Sequence, residues 1–85
     1  MIPINTYVQV KDLSHNMSAY RYEQFSNKIG IVTRHYTYQD IVNVKFNESF
    51  TKREFIDKTW QNTEHYNMSI PCNYLKPIKY IPLIE

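Results

Sequence analysis

The sequence predicts a mainly β fold: a small five-stranded barrel with a long first loop and a short helix near residues 52–60. Three observations carry that expectation. Short stretches alternate apolar and polar residues with a period of two, no segment sustains a long helical period, and the apolar runs are punctuated by one glycine, Gly30, and by Pro71. Residues 1–85 are expected to form a single domain, since a chain of this length cannot enclose two independent cores.

The elements follow in order. Residues 6–11 alternate cleanly, turning Val8 and Val10 inward and Tyr7, Gln9 and Lys11 outward, as a first strand does. Residues 12–27 are polar and irregular and carry Met17, Tyr20, Tyr22 and Phe25, so they read as an excursion that folds aromatics back onto the barrel. Ser18 is placed to cap one helical turn in it. Residues 28–36 form a second strand with Gly30 inside it, marking a bulge, a bend or a close backbone approach. Tyr38-Gln39-Asp40 makes a turn into a third strand, residues 41–46, which buries Val42, Val44 and Phe46.

Residues 47–65 are read as a connection. Thr51-x-x-Glu54 matches a capping box and Phe55, Ile56 and Trp60 recur at helical spacing, which favours a helix near 52–60 over an edge strand with Phe50 and Phe55 inward. A fourth strand over 66–70 turns Tyr66, Met68 and Ile70 inward. Pro71 stops it because proline has no N–H for the ladder. Cys72-Asn73-Tyr74 is a tight turn and residues 75–80 a closing strand. Curling such a sheet on itself hides the edges that an open sheet exposes.

The stretch Ile70-Pro71-Cys72-Asn73-Tyr74-Leu75 resembles the C-terminal signature of Src-homology-three domains, and Lys28-Ile29-Gly30-Ile31-Val32 is similar to the glycine-centred strand of KOW-type domains. Both families build small five-strand barrels. The resemblance implies an SH3-like barrel over residues 1–85, with Pro71 and Tyr74 at positions of the peptide-binding groove. The Ala-Leu-Tyr-Asp-Tyr opening of proline-peptide binders is missing, so the likeness reaches the barrel and not that groove.

Composition narrows the function. A net charge of +2 falls short of the strong positive field of a dedicated nucleic-acid binder. The apolar runs are too short to span a membrane, the N-terminus has no signal-peptide pattern, and a single cysteine forms no internal disulfide, so a cytoplasmic setting is expected. His15, His35 and His65 stand far apart, none at metal-ligand spacing from a carboxylate or from Cys72, and no metal or other cofactor is expected. There is no Gly-x-Ser-x-Gly elbow, no phosphate-cradling glycine loop and no isolated carboxylate pair, which argues against an enzyme.

A binding module remains. Tyr20, Tyr22, Trp60 and Tyr74, rimmed by Arg21 and Arg53 and joined by Pro71, form the expected patch for a protein partner, because aromatic and arginine side chains anchor interfaces. The competing role for Trp60 is as core at the open barrel end. A small adaptor, or an inhibitor made by a phage against a host protein, fits this reading. The alternative is a KOW-like nucleic-acid binder in which Lys11, Arg34, Tyr36, Tyr38 and Lys45 alternate charge with stacking surface. The third is a structural subunit that buries its exposed aromatics against copies of itself.

Overall fold

The structure, a computed structural model, describes residues 2–36 and 40–79. Five strands, β1 (Tyr7–Val10), β2 (Ile29–His35), β3 (Ile41–Ile56), β4 (Thr59–Pro71) and β5 (Leu75–Pro77), pair antiparallel in the order β4-β3-β2-β1-β5. The fold is mainly β, as the alternation predicts. The two edge strands, β4 and β5, do not pair, so hydrogen bonds do not close the sheet into the expected barrel. The reason lies in β5: it is three residues long, it ends at Pro77, and its partner is β1.

One wall of the sheet is apolar. Val8 and Val10, Val32, Val42, Val44, Phe46, Ile70 and Leu75 are all buried, each in the alternating phase that its strand dictates. The excursion between β1 and β2 covers this wall with Leu13, Ala19 and Phe25. It is a 3₁₀ segment, Met17–Phe25, kinked at Ala19. Its N-terminal cap is Asn16 rather than Ser18: the Asn16 side chain accepts the Ser18 N–H at 3.1 Å. Phe25 lies flat on Phe46, with centroids 5.2 Å apart, and meets the edge of Phe50 at 4.9 Å. Asn27, at φ 66°, turns the chain back and donates its N–H to the Val10 carbonyl at 2.8 Å. Asparagine tolerates that left-handed conformation better than most residues.

Gly30 is a site of close approach. It pairs with Phe46 and is buried, and a Cβ on it would lie 2.5 Å from Val44 Cγ1 and 2.7 Å from the Lys45 carbonyl oxygen. A register shift between Val32 and Arg34 leaves Thr33 as the extra residue of a β-bulge. The turn expected at Tyr38-Gln39-Asp40 lies outside the described residues except for Asp40. Residues 72–74 form a short 3₁₀ turn that leads from Pro71 into β5.

The largest departure from expectation is at residues 50–65. No helix forms near 52–60. β3 runs on through Ile56, the chain reverses at Asp57-Lys58, and β4 returns, pairing Phe50 with His65 and every residue out to Ile56 with Thr59. Asp57 and Lys58 both have left-handed φ, 51° and 66°, as a two-residue type I′ hairpin turn requires. The capping-box contact is replaced by one across the strands: Thr63 Oγ1, not a helix N-terminus, donates to Glu54 Oε2 at 2.8 Å. Because β2 pairs only with residues 42–46 of β3, this distal half is a two-stranded ribbon extending past the sheet. Phe50, at its base, packs against the core, whereas Phe55 does not.

The turn offers a direct test. A non-glycine residue held at left-handed φ carries about 1–2 kcal/mol of strain, and glycine removes it at a smaller entropic cost. Lys58→Gly should therefore stabilise the protein by roughly 0.5–1 kcal/mol, read as a higher denaturant midpoint with an unchanged slope. No helix among the described residues is long and apolar enough to cross a membrane.

Candidate functional site

The expected protein-binding residues separate into two groups. Tyr22 and Tyr74 meet at 5.6 Å between ring centroids, where the excursion crosses the short 3₁₀ turn, and both are half-buried. Tyr20 is 68% exposed, and its hydroxyl accepts from Arg21 Nε at 3.4 Å. Pro71 is half-buried at the end of β4.

Trp60 and Arg53 belong elsewhere. Trp60 is near the start of β4 while Pro71 ends it, so on the order of 35 Å of extended strand separates the two. The single patch expected from the sequence therefore does not assemble. Trp60 is not core either: it is 62% exposed. Its ring packs against Phe55, its cross-strand neighbour, at 5.3 Å, and the Arg53 guanidinium stands over it at 5.7 Å. Phe55 is 61% exposed. Sequence reasoning missed Phe55 and Ile56 as surface residues because it placed them on a helix. The strand-forming content of 50–63, with Thr51, Phe55, Ile56, Thr59, Trp60 and Thr63, was the available signal.

The ribbon's other face sets polar side chains between Phe50 and Ile56. His65 Nε2 lies 2.8 Å from Thr63 Oγ1 and 3.5 Å from Glu54 Oε1. The Thr63 hydroxyl faces two acceptors, Glu54 Oε2 at 2.8 Å and the Lys52 carbonyl at 3.1 Å, as well as the His65 ring nitrogen. The Thr63 hydrogen bond, reinforced by His65 and Lys52, holds the Glu54 carboxyl below the usual carboxylate range. Glu54 and Thr63 both approach the same ring nitrogen of His65, Nε2.

The residues of the nucleic-acid alternative are also dispersed. Arg34 stands over the Tyr36 ring at 5.4 Å, and Tyr36 accepts from Ser69 Oγ at 3.1 Å. Lys45 is exposed opposite Ile31, which in turn pairs with Tyr7. Tyr7, Ile29, Gly30, Ile31 and Lys45 line a shallow depression of about 240 Å³. Lys11 is at the other end of β1, its Nζ donating to the Asn73 carbonyl at 3.0 Å. Tyr38 lies outside the described residues.

Of the remaining titratable groups, His35 Nε2 lies 2.6 Å from the Ile2 carbonyl. Cys72 is half-buried, and burial pushes its thiol pKa up, which makes it a poor nucleophile. Among the described residues no three His, Cys, Asp or Glu side chains gather into a metal-ligand set. No family model matches this chain, and neither does any curated protein or solved structure.

Proposed function

We propose that this protein is a non-catalytic binding module that recognises a protein partner through the tip of the β3–β4 ribbon. One observation carries the reading: the Phe55 and Trp60 rings pack at a tilt across the strands with Arg53 over the indole, and all three are exposed. Large apolar rings held out on a stiff hairpin gain nothing for the monomer's core. Tryptophan and arginine are the residues most enriched among interface anchors. Pairing of the rings limits the rotamer freedom lost on binding. Tyr20 and Arg21 form a second, smaller exposed group on the excursion.

The finer fold reading supports this. A strand, a long excursion, a glycine-bearing strand, a hairpin, a proline-led 3₁₀ turn and a last strand follow one another as in Src-homology-three-like and KOW-like domains.

The test compares wild type with an Arg53→Ala/Trp60→Ala variant for recovery of partners from native lysate, with Tyr20→Ala/Tyr74→Ala alongside. Loss of an anchor residue costs at least about 2 kcal/mol, or roughly 30-fold in affinity. The Arg53/Trp60 variant should therefore lose a partner that wild type retains, while its melting temperature changes little because both side chains are exposed. Equal recovery by all three proteins would sink the proposal. A nucleic-acid role is the second reading, favoured by the Arg34 guanidinium over the Tyr36 ring. It requires RNA or DNA binding that falls steeply with salt and is weakened by Arg34→Ala/Tyr36→Ala.

A further inference from the structure

The two edges of the sheet are guarded very differently. β5 is short and carries Lys76 and Pro77, both ordinary protections against strand addition. β4 is 13 residues long and contains no lysine or arginine, and its one proline is the residue that ends it. The backbone groups along its outer side can be assigned. Ile56 and Thr59 close a two-residue turn and so exchange both hydrogen bonds. Alternation then directs the N–H and C=O groups of Gln61, Thr63 and His65 toward β3, and those of Trp60, Asn62, Glu64 and Tyr66 outward. Among the described residues, no backbone group outside the sheet ladders bonds to β4 between Thr59 and Ile70.

We propose that a second copy of this chain occupies that edge, its β4 pairing antiparallel with the first about a two-fold axis at Thr63. The spacing of β4 is self-complementary in this register. Trp60 and Tyr66 lie three residues either side of Thr63, share one parity and are 62% and 48% exposed. The axis therefore sets Trp60 of each copy opposite Tyr66 of the other, forming two aromatic cross-strand pairs. Thr63 meets its own equivalent, and threonine–threonine pairs are favourable across strands. Asn62 faces Glu64, Gln61 faces His65, and no like charges stand directly opposite. Centring the pair on Glu64 would instead set two carboxylates face to face, and centring it on Asn62 would leave both aromatics without an aromatic partner. Interfaces of this isologous kind close on themselves and stop at two copies. The pairing goes beyond the partner contact proposed above: it rests on the β4 backbone edge, and the two contacts share Trp60, so the Thr63 and Asn62 substitutions, which leave Trp60 and Arg53 in place, test it separately.

Sedimentation velocity on the whole chain, from micromolar to millimolar, tests the pairing together with two substitutions at an exposed position. Asn62→Lys should tighten the dimer roughly three- to tenfold by setting opposite charges across both Asn62–Glu64 positions, and added salt should erase the gain. Asn62→Glu should loosen it by a similar factor. This direction is diagnostic, because a lysine on an edge strand ordinarily blocks pairing. Thr63→Cys in a Cys72→Ser background should form an intermolecular disulfide on mild oxidation, since directly opposed residues of a non-hydrogen-bonded pair lie within disulfide reach. Lys58→Cys in the same background, at the ribbon tip, should not. A wild-type chain that remains monomeric at millimolar concentration overturns the proposal. So does a dimer that responds alike to lysine and glutamate at position 62, or one that crosslinks at Lys58→Cys and not at Thr63→Cys.

Discussion

Phe25→Ala should destabilise the protein by about 3–5 kcal/mol, the range for emptying a fully buried phenylalanine site. Phe25 is completely buried and contacts Phe46 and Phe50 by a flat and an edge-on stack, so its loss opens the junction of the excursion, the sheet and the base of the ribbon. At about 0.05–0.15 kcal/mol per residue a domain of this length has roughly 4–13 kcal/mol in total, so the variant sits near or past its unfolding threshold at 37 °C. Phe25→Leu keeps most of the volume and should cost less than about 1.5 kcal/mol. Urea denaturation of the two variants checks the ranking. Equal midpoints for Phe25→Ala and wild type would mean that the excursion does not hold the core closed.

Gly30→Ala should produce the second large loss, about 1–3 kcal/mol, by overpacking instead of cavity formation. The added methyl would sit 2.5 Å from Val44 Cγ1 and 2.7 Å from the Lys45 carbonyl oxygen. Neither neighbour yields easily: Val44 is buried and stiff at χ1, and the carbonyl belongs to the β2–β3 ladder. A domain of this size loses about 4–8 °C in melting temperature per kcal/mol, so the change is readily seen in a thermal melt. Adding Val44→Ala removes the side-chain half of the clash. The double variant should then be less destabilised than the sum of the two single variants. Strict additivity would show that the backbone contact alone sets the cost.

The strands that bury one face were legible because their period is written into adjacent residues. Val8 and Val10, Val42 and Val44, and Phe46 alternate with polar neighbours, and each is found on the inner wall. Gly30 and Pro71 were legible for a different reason: each lacks a group that a strand ordinarily supplies, a Cβ in one case and an N–H in the other. The ribbon was not legible. Asp57-Lys58 carries none of the glycine that announces a type I′ turn, and Phe55 and Trp60 are as compatible with successive helical turns as with the two sides of a hairpin. Tyr66 was expected inward with Met68 and Ile70 but is nearly half exposed. The register shift between Lys45 and Phe50 interrupts the inner wall at that rung.

The candidate site followed the same division. That Tyr20, Arg21, Tyr22, Arg53, Trp60 and Tyr74 include surface aromatics and cations could be read from residue type alone. Their grouping could not. Tyr22 meets Tyr74 and Arg53 meets Trp60 because of which strands pair and where the chain reverses.

The amino-acid order by itself determined a mainly β chain, its inner wall, an irregularity of the second strand at Gly30 and the stop before the last strand, since all of these depend on a residue and its immediate neighbours. Tertiary structure alone decided that residues 50–65 project as a ribbon, that the sheet stays open between β4 and β5, and that Trp60 faces solvent. Those outcomes rest on contacts between residues distant along the chain, and cross-strand pairing leaves no local period for a sequence to display.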